Sequence, residues 1–270
     1  MKNLLKIFLF LVLVITFLDA KEKTWYQKIN PSIEAGMHLS VFKGYIKNAN
    51  STTNIQNDLN YKDSSSSYFA LGLRTDYTYM PNFKVDYFHH TQNQDTNLSK
   101  IVYAADGVFD ANTTVSSKID YSVMNFIIYH DFKHKGRRFK FLRWNFYPGD
   151  LEWYVGVNIK YINWRFDIEK SVNPDKLHWI QVNEVIPLPY IGFYYLYKHL
   201  RVYADISALA YQRAKSTNYN FGFAYQVYRD LYISWSYLYE DFQATEKRGG
   251  HTDTIRFSTS GNKFSFKYIF

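Results

Sequence analysis

The chain has 270 residues with a formal charge of +8, 26 tyrosines, 22 phenylalanines and no cysteine. Its length fits one large β domain or two ordinary ones, and the missing cysteine excludes disulfides, thiolate metal sites and lipid attachment at an N-terminal cysteine. Aromatics at 20 % beside a mean hydropathy of −0.36 imply alternation, in which one face of each strand is apolar and the other polar.

Residues 1–20 read as an export signal. Lys2 and Lys6 precede the uncharged run Ile7–Leu18, and Leu18-Asp19-Ala20 offers a small residue for cleavage, with Asp19 departing from the pattern. The run is too short to cross about 30 Å of hydrocarbon as a helix. Residues 21–30 then read as a periplasmic segment and 31–270 as one domain. Within it, apolar residues recur at every second position. The rows are Ile33 to Val41, Phe69 to Leu73, Phe83 to Tyr87, Leu151 to Tyr161, Leu200 to Ala210, Tyr219 to Val227, Leu231 to Tyr239, and Phe264 to Phe270. Two further stretches, Tyr121 to Phe132 and Ile180 to Tyr197, look like strands with ambiguous faces. This predicts a closed antiparallel transmembrane β-barrel of about ten strands, within a range of eight to twelve, each long enough to cross a bilayer when tilted.

The connections alternate in length. Tyr79 to Asn82, Lys198-His199 and Arg229-Asp230 are short; Asn48 to Ser64, Asn93 to Lys118, Glu169 to Lys176 and Thr245 to Asp253 read as longer polar loops. Tight periplasmic turns and longer external loops build outer-membrane barrels in this way. The stretch Lys133 to Asp150 is the exception, a long connection on the periplasmic side.

Phe264, Phe266, Tyr268 and Phe270 close the chain on alternate positions. An apolar row facing lipid is stable only where every backbone group is paired, so the last strand should meet the first. The alternative is a buried edge strand in a soluble sandwich. The terminal Phe270 with its aromatic row resembles the C-terminal recognition signal of bacterial outer-membrane barrels, which implies the barrel-assembly machinery as a partner during insertion. From Trp144 onward, the order Trp153-Tyr154-Val155-Gly156-Val157-Asn158-Ile159-Lys160-Tyr161, then Ile186-Pro187-Leu188-Pro189-Tyr190, then close hairpins, is similar to a family of small outer-membrane β-barrel proteins of Gram-negative bacteria. That resemblance implies address and architecture, and no activity.

Chemistry-bearing motifs are sparse. His38-Leu39-Ser40 resembles the His-x-Ser pair of outer-membrane phospholipases and lipid A deacylases. The row Ile33 to Val41 takes the lipid side, however, so His38 and Ser40 should point into the lumen, and those families do not place the pair on a first strand. His89 and His90 are adjacent and should face opposite ways. The 8 histidines show no metal-ligand spacing. Paired aspartates of the outer-membrane protease type are not evident, and Gly249-Gly250 reads as a loop tip. No cofactor is implied.

The same register puts acidic Glu34, Asp76, Asp86, Glu152, Asp205 and Glu240 inside, with basic Arg74, Lys84, Lys160, Arg201, Lys263 and Lys267. Such a lumen should be crossed by ion pairs, because unpaired buried charge is costly. The pairs either fill a narrow barrel or line a narrow passage for small solutes. Lys133, Lys135, Arg137, Arg138, Lys140 and Arg143 form the densest cationic stretch, with Phe139, Phe141 and Trp144 beside them. Basic residues among rings would suit nucleic acid, which an exported barrel rarely meets; phosphates of outer-membrane lipids fit this turn better, unless it is a strand extension with solvated charge. The functional expectation is a non-enzymatic barrel, structural or a narrow channel. A lipid esterase and a surface-loop adhesin or receptor are the alternatives.

Overall fold

A computed structural model describes residues 29–270 apart from 49–50, 76–79, 106, 136–138, 142–143, 147–148, 172–176, 212–213 and 249–250. Residues 1–28, with the stretch read from sequence as an export signal, lie outside the described residues, as does Asp76.

Alternation from Ile29 onward gives ten long strands: β1 (Ile29–Lys47), β2 (Ser64–Thr75), β3 (Asn82–Asn97), β4 (Thr114–His134), β5 (Asp150–Lys170), β6 (His178–Tyr197), β7 (Leu200–Tyr211), β8 (Ala214–Tyr228), β9 (Leu231–Arg248) and β10 (His251–Ile269). Each pairs antiparallel with the next, and β10 returns to β1, from Ser32 opposite Ile269 to Lys47 opposite Thr254. Past the seam the Phe270 N–H donates to the Pro31 carbonyl at 2.9 Å. The terminal aromatic row thus belongs to the strand that closes the cylinder, and Phe264, Phe266, Tyr268 and Phe270 all stand exposed on its outside. At Gly261, which faces inward on that strand, a Cβ would run into the Leu39 carbonyl of β1. Glycine here lets the two strands at the seam approach closely.

Strands of up to 21 residues are about twice as long as a crossing requires. The surplus forms a second tier with reversed polarity. On β5 the outward row reads Trp153, Val155, Val157, Ile159, Tyr161 and then Asn163, Arg165, Asp167, while the inward row passes from Glu152, Asn158 and Lys160 to Ile162, Trp164, Phe166 and Ile168. β1 changes in the same way, from outward Met37 and Leu39 over inward His38 and Ser40 to outward Lys43 over inward Phe42 and Ile46. The end at which β1 begins and β10 finishes is built for lipid outside and polar groups inside. The far end has the polar-out, apolar-in logic of a water-soluble barrel.

This reversal corrects the loop assignments. Thr245 to Asp253 reads as a loop because its outer row is polar, yet β9 runs to Arg248 and β10 starts at His251. Likewise β3 reaches Asn97 and β4 starts at Thr114, with a small hairpin of Val102–Ala104 and Gly107–Phe109 between them. Strands persist there because their inner residues have an apolar core to pack on. Between β1 and β2, Thr52–Asn54 adds to the β1 edge and leads into a helical turn, Ile55–Asp58. The Asn54 side chain caps it by accepting from the N–H groups of Gln56 and Asn57 at 3.0 and 2.8 Å. Ile55, Leu59 and Tyr61 from this segment are buried in the upper core.

β6 pairs with β5 along nearly all of its length but with β7 only from Tyr190 to Tyr197. Proline brings no N–H to a ladder, and pairing with β7 stops where Pro187 and Pro189 begin. Together with the short β7–β8 hairpin this leaves a dip in the wall above Tyr190.

The tier boundary predicts depth-dependent tolerance. Val157→Arg should weaken folding into lipid vesicles by about 2–4 kcal/mol, as for a cation on the lipid face, and Asn163→Arg on the same outward row by about 0–1. Urea titration of vesicle-folded protein measures both, and equal penalties would place the lipid belt elsewhere.

Candidate functional site

The lumen holds the side chains capable of chemistry, in three layers stacked from the terminus end. The first is a cavity of about 410 Å³ opening at that end. Arg74 on β2 sends Nη2 to Asp131 Oδ2 at 2.5 Å and to Glu152 Oε2 at 2.6 Å, and Asn82 donates to Asp131 at 3.0 Å. Lys263 on β10 reaches Glu34 Oε1 at 3.1 Å, which also accepts from Ser265 Oγ at 2.6 Å. The same ammonium lies 4.0 Å from the Tyr68 ring centre. Lys84 pairs with Asp86 at 3.1 Å. Asp205 accepts from Asn220 at 3.0 Å. Arg201 donates to the Tyr232 hydroxyl at 2.7 Å and lies 4.2 Å from that ring's centre.

The second layer crosses the barrel. Lys160 on β5 and Glu240 on β9 are 0 % and 1 % exposed, with Nζ 3.3 Å from Oε1. The approach lacks hydrogen-bond alignment, leaving both atoms without a bonded partner; Glu240 Oε2 accepts from the Tyr121 hydroxyl of β4 at 3.1 Å. Beside them Asn158 donates to Asn125 at 3.0 Å and to Ser207 at 3.3 Å, and Asn125 donates to Asp86 at 2.7 Å.

The third layer is a packed group of rings. Phe257 of β10 lies 5.1 Å from Phe42, 4.7 Å from Tyr121 and 6.1 Å from Trp164, ring centre to ring centre, so side chains from opposite walls meet. Phe88 joins through Tyr121 at 5.5 Å. Phe242 stands opposite Phe257 in the β9–β10 register, and Ile46, Phe166, Ile168 and, from the segment between β1 and β2, Ile55 and Leu59 are buried in the same core.

Of the residues read from the sequence as inward-facing, eight, Glu34, Arg74, Lys84, Glu152, Arg201, Asp205, Lys263 and Lys267, surround the cavity, and Asp76 lies outside the described residues. Lys160, Glu240 and Asp86 lie above. The sequence reading missed Asp131, Asn125 and Tyr121, all on β4, whose two faces are both partly apolar; the ion pair between Arg74 and Asp131 supplies the missing register. Lys133, assigned from sequence to the interfacial turn, lies on the inward row with Asp131, 3.7 Å away, and lines the cavity mouth. Lys135 is exposed. Lys140 lies in a short strand, Phe139–Phe141, paired with Trp144–Phe146, while Arg137, Arg138 and Arg143 lie outside the described residues.

His38 and Ser40 are buried inside the wall, and neither His38 nitrogen nor Ser40 Oγ has a hydrogen-bond partner. A serine nucleophile needs a base bonded to it, and no such bond joins these two. His89 and His90 do face opposite ways: His89 lies outside, 3.7 Å from Asp120, and His90 lies inside, its ring centre 3.9 Å from that of Phe42.

A cylinder with a continuous ladder, an apolar outer belt and a polar lower lumen admits one assignment. The fold is that of the outer-membrane β-barrels. No family model matches the sequence, and no curated protein matches it. Among solved structures, the barrel is similar to the translocator domain of the autotransporter NalP from Neisseria meningitidis, at 9% identity over 95% of this chain and 92% of that one, with a TM-score of 0.43. It is similar to the neisserial surface protein NspA at 10% identity over 90% and 97%, with a TM-score of 0.34. It is also similar to the outer membrane protease OmpT from Escherichia coli at 8% identity over 93% and 99%, with a TM-score of 0.47. At such identities nothing about activity carries over.

Proposed function

We propose that this protein is a non-enzymatic resident of the bacterial outer membrane whose lumen is a blind vestibule rather than a through passage. The observation that carries the reading is the layer in which Phe257 meets Tyr121 and Trp164 from the opposite wall, with Phe42 beside it on the neighbouring strand. A dry aromatic layer above a buried ion pair opposes hydrated ions twice, once by excluding water and once by charge.

The exposed apolar belt and the terminal aromatic row support residence in the outer membrane, with lipids as the immediate neighbours. The tight turns Lys198-His199 and Arg229-Asp230 share the end of the barrel at which β1 begins and β10 finishes, which favours that end as the periplasmic one. The vestibule then opens to the periplasm. The absence of a bond between His38 and Ser40 removes that pair as support for an esterase.

Reconstitution in planar bilayers tests the reading. Protein that shifts on a gel when boiled, and is therefore folded, is expected to give no discrete conductance steps. Regular steps from the unaltered protein would overturn the blind lumen. In the same preparation Ser40→Ala should leave phospholipid and lipopolysaccharide hydrolysis at the background seen with the unaltered chain.

A further inference from the structure

Most charges around the vestibule have a partner at contact distance. Arg74 has two carboxylates, Lys263 has Glu34, and Lys84 has Asp86. Arg201 and Lys267 differ. Both line the cavity, and neither forms a salt bridge with any described residue. Lys267 stands directly opposite Glu34 across the β1–β10 seam, but Glu34 Oε1 is engaged by Lys263 and Ser265. Arg201 spends one donor on the Tyr232 hydroxyl and stacks on its ring. Tyr232 in turn sits opposite Lys267 in the β9–β10 register. The order along this wall is therefore cation, tyrosine, cation.

Two cations on one wall, neither with a carboxylate at contact distance, leave charge to be satisfied although Glu34, Asp205 and Asp230 line the same recess. The stacked guanidinium keeps further N–H donors in a fixed plane, a shape that matches the two oxygens of a phosphate or carboxylate. Lys267 adds a rotatable point charge, and the Tyr232 hydroxyl, which accepts from Arg201, retains its own proton to donate. Asp205 and Asp230 also line the cavity. Asp205 is held by Asn220, and Asp230 lies in the turn that ends at β9.

We propose that this wall of the vestibule is a binding site for a small oxyanion, a phosphate or carboxylate group on a solute entering from the end at which β10 finishes. The site rests on the vestibule reading but not on the silence of the barrel, because a conducting barrel could bind the same anion. The cavity, at about 410 Å³, has room for the group and a body of several further heavy atoms.

Detergent-folded full-length protein in low-chloride buffer, titrated calorimetrically with inorganic phosphate, succinate and uncharged glycerol, tests it. Saturable binding of phosphate or of succinate, and none of glycerol, is expected, and the preferred anion identifies the group recognised. The double variant Lys267→Gln, Arg201→Gln should weaken binding about tenfold or more, while Lys135→Gln on the exposed turn should leave it unchanged. Failure of the unaltered protein to bind either anion saturably would sink the proposal, even if the double variant does not fold. Binding that survives in a heat-shifting, folded double variant would sink it as well. Bilayer recordings made in parallel report on the blind lumen separately, so the two readings fail independently.

Discussion

Lys160→Met is expected to destabilise the folded barrel by about 3–5 kcal/mol, whereas Lys160→Met combined with Glu240→Met should recover most of that loss. The pair is sealed at 0 % and 1 % exposure with 3.3 Å between its charged atoms. Removing the ammonium leaves Glu240 buried with only the Tyr121 hydroxyl to satisfy it. Removing both charges returns their desolvation cost, and two methionines of flexible shape can fill the space beside Tyr121. Because the ion pair joins β5 to β9 across the lumen, the single variant also lacks that link between opposite walls. Urea titration in vesicles, followed by tryptophan fluorescence, gives the two free energies. Additive losses in the double variant would mean that the two groups contribute separately and that the bridge does not couple the walls.

The outer face was the legible part of this sequence. Lipid imposes one rule on every outward position, so rows such as Met37-Leu39 and Phe221-Phe223 announce their strands and their direction together. Counting those rows, with the two ambiguous stretches, yields the ten long strands of the barrel among the described residues. The inner face obeys different rules at different heights, and there the reading fails. On β6, inward Ile186 and Leu188 alternate with outward Val185 and Ile191, so the contrast of period two vanishes although the strand is regular. On β4 the same loss of contrast hid Asp131 and Asn125. The far tier misled in the opposite direction: Arg256 and Asp241 form an ion pair outside the wall at 3.0 Å, and polar outer residues of that kind mimic a loop while the core holds the strands in place. The charges of the vestibule were placed by parity alone, which works because a side chain either meets lipid or does not. What parity cannot supply is partnership across the lumen. Nothing in the spacing of residues 201 and 267 says that they approach the same tyrosine, or that residues 160 and 240 lie face to face.

Truncating the ring layer should convert a silent barrel into a conducting one. Phe257→Ala combined with Trp164→Ala removes the contact between opposite walls, and each ring would cost about 3–5 kcal/mol if lost from a well-packed core. The two touch, at 6.1 Å between ring centres, so the combined loss should fall short of the sum. Even so, the cylinder itself should survive, because its closure rests on backbone pairing from Ser32–Ile269 to Lys47–Thr254 and on the lipid belt below, neither of which involves these rings. Phe266→Ala on the lipid face provides the contrast: it removes a ring of the same kind exposed on the outside, leaves the lumen unaltered and should stay silent. With the layer open, water can reach the Lys160–Glu240 bridge from above, and hydration of that pair removes the reason for ions to avoid it. Discrete steps are therefore expected from the double variant in planar bilayers, growing when Lys160→Met and Glu240→Met are added. A folded, heat-shifting double variant that remains silent would show that the loop segment of Ile55, Leu59 and Tyr61 closes the barrel by itself, and the aromatic layer would then be packing for the far tier rather than the seal of the vestibule.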